Sequence, residues 1–139
     1  MTSKQKNLIF ILLIPALVLF YVFSGGSMGI SLDFGEDALT LSASDHDWTI
    51  PYDQIEALEL ADLPETGTLL NGAEKRNLCF GTWENDIWGE YTLCIDPRIH
   101  RCIVITAADD SHYVLNYESA EATEELMKLI TDILHSKEN

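Results

Sequence analysis

The chain has 139 residues, 47% of them hydrophobic, and a formal net charge of −15 at pH 7. That length and composition suit one domain with a sizeable core. A strongly negative field repels nucleic acid and phosphoinositide or other anionic headgroups, while it admits cationic partners and divalent ions.

The first six residues, "MTSKQK", carry Lys4 and Lys6, and the run that follows, "NLIFILLIPALVLFYVF", has no charged residue. Such a segment is a transmembrane anchor or a signal peptide. As a helix, Leu8 to Phe23 would span about 24 Å, short of the roughly 30 Å hydrocarbon core. The small, uncharged "SGGSMGI" extends it to Ile30. Pro15 is tolerated in a membrane helix. Ser24 and Gly26 are the small residues that a signal cleavage site would use. The anchor is the preferred reading. It divides the chain into an N-terminus at 1–6, an anchor with a short linker at 7–29, and a domain at 30–136. No Lys or Arg follows the apolar run until Lys75. The positive-inside rule then places the N-terminus in the cytoplasm and the domain outside, in a single-pass protein of the cell membrane. All 23 Asp and Glu lie from Asp33 onward, so the negative field belongs to that domain.

Short alternating runs between turn signals follow, the pattern of an antiparallel sheet. "ISLDF" (30–34) and "ALTLSA" (38–43) read as a hairpin across "GED". "DHD" (45–47) reads as a turn, and "WTIPY" (48–52) as a strand placed at an edge by Pro51. "YDQIEALELADL" (52–63) begins with turn chemistry and then alternates. "PETGTLLNGAEKRN" (64–77) is the longest irregular piece. Strand pattern resumes near "NLCFGTW", then in "GEYTLCI" (89–95), "RCIVITA" (101–107) and "HYVLNY" (112–117), the last three joined as hairpins by "DPRIH" and "ADDS". The period then changes. "SAEATEELMKLITDILHSK" sets Ala122, Leu126, Leu129, Ile130 and Ile133 at helical spacing. Ser119 is its N-cap, with acidic residues at the positive end of the dipole. The expected architecture is mainly β (α+β). About seven antiparallel strands form a bent sheet or barrel, capped by a C-terminal helix and preceded by one transmembrane helix.

This order of words resembles the bacterial pleckstrin-homology-like domains over roughly residues 30–135. "SLDFGEDALTL" and "WTIPYDQIEALEL", with Pro51, Asp53 and Ile55, are similar to the family's opening. Asn71, Gly72, Phe80 and Gly81 are similar to its glycine-punctuated middle. "CIVITAADDSHYVLNYESAEATEEL" is similar to its ending. An anchor before the domain also fits the family. The resemblance implies a bent seven-stranded sheet with a helix plug, and binding or scaffolding rather than catalysis. Eukaryotic relatives hold phosphoinositides with basic residues in the first hairpin. Glu36 and Asp37 stand there in this chain, which argues against headgroup binding. Leu70 and Asn71 stand where an arginine is expected before Gly72, so the middle departs from the pattern.

Few residue sets carry chemistry. Gly72, Gly81 and Gly89 read as turns or bends. Trp83 and Trp88 flank a hairpin tip, as packing aromatics or as an exposed interaction surface. Cys94 and Cys102 flank "IDPRIH". A register pairing 93 with 103 would place their sulfurs opposite each other for a disulfide, with free thiols as the other reading. Cys79 packs in an apolar strand. His100 beside Cys102 is a bare outline of a thiol catalytic pair. Asp45, Asp47, Asp53 and Glu56 match part of a calcium loop, but Ile50 stands where the loop needs glycine. A looser cation set comprises Asp45, His46, Asp47, Asp109, Asp110 and His112. No CxxC motif, zinc-spaced Cys/His run, phosphate loop or glycosylation sequon occurs, and no cofactor is implied.

Two functions follow as expectations. The first is a membrane-tethered binding or scaffolding module for another protein. The ligand would add as a strand at an exposed edge or lie in the groove beside the terminal helix. The second is a secreted or tethered module that binds a small ligand or divalent cation through the 45–47 and 109–112 turns.

Overall fold

A computed structural model describes residues 29–137. The expected anchor at 7–29 falls outside the described residues except for Gly29, and no helix among the described residues is long and apolar enough to cross a membrane. Nine strands and one long helix are described, so the fold is α+β.

The first sheet is a meander of β1 (Ile30–Phe34), β2 (Ala38–Ala43) and β3 (His46–Pro51), in that order. Period-2 alternation turns Leu39, Leu41, Ala43 and Ile50 to the core, and it leaves Ser31, Asp33, Asp47 and Thr49 exposed. The expected 45–47 turn sits earlier, because His46 already pairs with Ala43. A 3-10 turn, Tyr52–Gln54, leads into β4 (Ile55–Asp62).

The second sheet contains β4, β5 (Thr68–Glu74), β6 (Cys79–Asn85), β7 (Gly89–Ile95), β8 (Arg101–Ala107) and β9 (His112–Leu115). Its order is β4-β8-β9-β7-β6-β5. Three expectations are corrected here. There are nine strands in two sheets rather than about seven in one. The second sheet is not wholly antiparallel, because β9 runs parallel to β7. The irregular piece 64–77 contains β5, which "TLLNGAE" concealed because it has neither alternation nor β-branched enrichment beyond Thr68.

β4 and β5 are the two edges of this sheet, yet only residues 63–67 join them. Six strands laid flat would hold the edges about 24 Å apart. The step from Asp62 to Thr68 reaches at most about 21 Å. The sheet therefore curls, and the link spans its concave side. The Tyr91 hydroxyl donates to the Thr66 carbonyl (2.7 Å), and Asn85 Nδ2 donates to the Glu65 carbonyl (3.1 Å), which pins the link down.

Both faces of this sheet are buried. Trp83, Tyr91, Leu93, Ile95, Cys102, Val104 and Val114 cluster on the concave side with Leu63 and Leu69. Phe80, Cys94, Ile103, Ile105 and Leu115 face the other way, toward the first sheet and α1 (Ala120–Lys137). Burial on two faces explains why β7 and β8 read as near-continuous apolar runs. The helix is capped as expected, since the Ala122 amide donates to Ser119 Oγ at 3.0 Å. Leu126, Ile130 and Ile133 form its buried stripe.

Candidate functional site

The residues singled out in the sequence do not converge. Cys94 lies in β7 opposite Leu115 of β9, and Cys102 lies in β8 opposite Ala61 of β4. β9 is inserted between the two cysteine strands, which lie about 9.6 Å apart as a result. A disulfide needs Cα atoms within about 7 Å. The two sulfurs also pack on opposite faces of the sheet. The expected 93–103 register and the Cys94–Cys102 bridge are corrected on this ground: all three cysteines are free and buried.

Burial also disarms them as nucleophiles. It pushes the Cys94 thiol up to about 12 and the Cys102 thiol up to about 11. It raises the Cys79 thiol as well, against a lowering contact in which Cys79 Sγ reaches the Lys75 carbonyl. At pH 8 both thiols therefore stay almost wholly protonated, whereas roughly a quarter of a free cysteine is thiolate. Iodoacetamide should label Cys94 and Cys102 of the native protein at least about a hundredfold more slowly than it labels them in guanidinium. Peptide mapping by mass spectrometry checks this. Rapid native labelling of Cys102 would show an accessible thiol and contradict the burial.

The two tryptophans differ. Trp83 is 1% exposed, and its Nε1 donates to the Phe80 carbonyl at 3.3 Å. It belongs to the concave core, so its reading as an interaction surface is corrected. Trp88 is half-buried between Tyr91, at 5.1 Å between ring centroids, and His112, at 5.9 Å. The exposed large hydrophobic residue of that hairpin tip is Ile87.

The acidic turns stay apart in role. Asp45 engages His46 Nδ1 at 3.0 Å, while the His46 ring lies over Trp48 and Phe80. Asp109 accepts from Ser111 in a local turn, and the Ser111 hydroxyl first, then its amide (3.0 Å), hold the Asp109 carboxyl below the usual range. Among the described residues no set of three or more His, Cys, Asp or Glu is placed to hold a metal ion, so Asp45, Asp47, Asp109 and Asp110 are not brought together.

What the fold does build is a groove between β4 and the C-terminal half of α1. Its volume is about 860 Å³. Ile55, Leu58, Met127 and Leu134 supply apolar surface, and Asp37, Asp53 and Glu56 supply carboxylates. Tyr52 anchors one end. Its amide donates to the Asp37 carbonyl (3.0 Å) and its hydroxyl to the Gly35 carbonyl (2.9 Å), which ties the 3-10 turn to the first hairpin. Burial and then Asp33 push the Tyr52 hydroxyl up to about 12, so it stays a donor at neutral pH. Lys137 Nζ sits 5.8 Å from the centre of the Tyr52 ring and joins the helix end to the same place.

The sequence pointed to a groove beside the helix but not to its lining. Met127 and Leu134 lie beside the buried Leu126–Ile130–Ile133 line, and this off-stripe apolar content was the only signal available. No protein-family model, no curated protein and no solved structure matches this chain.

Proposed function

We propose that this protein is a membrane-tethered docking module, a pleckstrin-homology-like β domain that receives a protein partner in the groove between β4 and α1. Residues 7–29 would hold the domain beside the bilayer on its extracytoplasmic side, as their lack of charge and the flanking Lys4 and Lys6 suggest. One observation carries the reading: an open groove of about 860 Å³ with apolar surface from both a strand and a helix. That volume is in the upper range of ligand sites. The three thiols are buried and the acidic turns are separate, whereas the groove offers a partner apolar and acidic surface together.

Site-specific photocrosslinking of the full-length chain in its host membrane tests the reading. A benzophenone side chain at Ala57 or Thr131, both lining the groove, should give one discrete adduct. The same group at Ile87, 62% exposed on the hairpin tip, should not. Mass spectrometry would identify the adduct, and the purified partner should bind the full chain. Adducts from Ile87 alone, or from no position, would count against the groove.

A further inference from the structure

Resting on the groove reading above, we infer that the occupant is an extended cationic peptide segment that pairs with the free edge of β4 and lies along α1.

The edge comes first. β4 is the outer strand of the curled sheet and pairs only with β8 among the described residues. The Leu63 amide donates to the His100 carbonyl at 2.6 Å. That marks 63/100 as a hydrogen-bonded pair, and the register continues through Ala61↔Cys102 and Glu59↔Val104. In an antiparallel ladder the intervening residues turn their N–H and C=O groups the other way. Leu58, Leu60 and Asp62 therefore present donors and acceptors to the open side. The irregularity between Ile55 and Ala57 ends this regular stretch on its N-terminal side. An incoming strand thus pairs along Leu58–Asp62, and it enters the groove at Leu58, where its end meets the lining around Asp53 and Glu56.

The groove wall comes second. Leu58 and Leu60 face the cluster shared with α1, where Met127 and Leu134 are only partly buried. A strand added to β4 would alternate its side chains, one set toward this apolar strip and the other toward solvent. A helix in the same place would satisfy none of the edge groups.

Charge selects the occupant. Asp37, Asp53 and Glu56 line the groove, and Glu59 is exposed on the same strand. None of the four has an ion pair among the described residues. Lys137 and His135 are the basic residues of the lining, and Lys137 is engaged with Tyr52. Against a chain of net charge −15, an acidic peptide is repelled and a Lys- or Arg-bearing one is drawn in.

Fluorescence anisotropy with the full-length chain in neutral detergent micelles provides the test. The probes are three labelled nonapeptides: alternating Lys and Val, alternating Glu and Val, and the Lys–Val peptide N-methylated at every second residue. The Lys–Val peptide should bind, the Glu–Val peptide should not, and N-methylation should weaken binding at least about tenfold by removing ladder donors. The double variant Asp53→Lys, Glu56→Lys changes two exposed side chains, so it should fold and also lose at least about tenfold. Circular dichroism checks the folding.

Binding of the Lys–Val peptide that N-methylation does not affect would overturn strand pairing and leave the groove standing. Equal binding of the Glu–Val peptide would overturn the charge assignment. No binding of any peptide, together with groove adducts to a protein lacking basic extended segments, would overturn this inference alone. No binding together with no groove adducts would overturn both readings. Sedimentation of the unliganded chain as a dimer that Glu56→Lys disperses would assign the edge to a second copy and overturn the peptide.

Discussion

Gly81→Ala should cost about 3–5 kcal/mol of folding stability and lower the melting temperature by roughly 10–20 °C. Gly81 sits inside β6, directly opposite Gly72 of β5, and its φ is +113°. L side chains rarely adopt that backbone, which by itself costs about 1–3 kcal/mol. A Cβ there would also stand 2.1 Å from the Asn71 carbonyl oxygen and 2.7 Å from the Gly72 Cα. Both are backbone atoms, so no side chain can swing away, and the strands must part. The two glycines are therefore not turns, as the sequence suggested, but a crossing point at which β5 approaches β6 closely. Gly89→Ala is the control. Its φ is +70°, but a Cβ there meets nothing within 4 Å. It should show the backbone cost alone, about 1–2 kcal/mol. Chemical denaturation of the three proteins measures the difference. Equal losses at positions 81 and 89 would show that the close approach is unimportant.

Asn116→Ala should be about as damaging, at roughly 3–5 kcal/mol. Asn116 is fully buried, at 0% exposure. Its Oδ1 accepts the Asp96 amide (2.8 Å), and its Nδ2 donates to the carbonyls of Asp96 (3.1 Å) and Ile99 (3.2 Å). Removing the amide leaves three backbone groups of the 96–100 connector without these partners, each at about 1–3 kcal/mol when buried. The same contacts hold the connector over the end of β9, so they help keep β9 between β7 and β8. Hydrogen exchange should speed up at Asp96 and around the connector in the variant. Unchanged protection there would refute the latch.

The latch also has a pH signature. Arg98 donates to Asp96 from its backbone amide, Nε and Nη2, at 2.9, 3.0 and 2.7 Å, and the side-chain bonds foremost hold the Asp96 carboxyl below its usual range. A carboxyl whose pKa is lower in the folded state stabilises the fold above its unfolded value, about 3.9. That contribution is lost as pH falls through the lower, folded value. Arg98→Ala should therefore shrink the stability difference between pH 7 and pH 3 relative to the parent. Because the Arg98 side chain is 60% exposed, the effect should also weaken in high salt.

How much of this could be read in advance depended on how many faces of each element are buried. β1, β2 and α1 each have one buried face, so their periods of 2 and 3.6 were visible, as was the Ser119 cap. β5 was hidden because "TLLNGAE" has exposed residues on both sides and a glycine where β6 comes close. β7 and β8 were visible as strands, but their facing was not. A register pairing 93 with 103 puts Leu93 and Ile103 on one face, whereas Leu93 packs with Tyr91 and Ile95 on the opposite side of the sheet from Ile103 and Ile105. The presumed β7–β8 hairpin and its disulfide came from that ambiguity.

The sequence by itself determined the local elements with one apolar face, the acidity of the domain and the cap that starts its last helix. These depend on side-chain spacing within a single segment. Tertiary structure alone decided that β9 separates β7 from β8, that Gly72 meets Gly81, and that β4 and α1 leave a groove between them. Each of these joins residues far apart in the chain. A strand with apolar residues on both faces carries no mark of which neighbour it will choose.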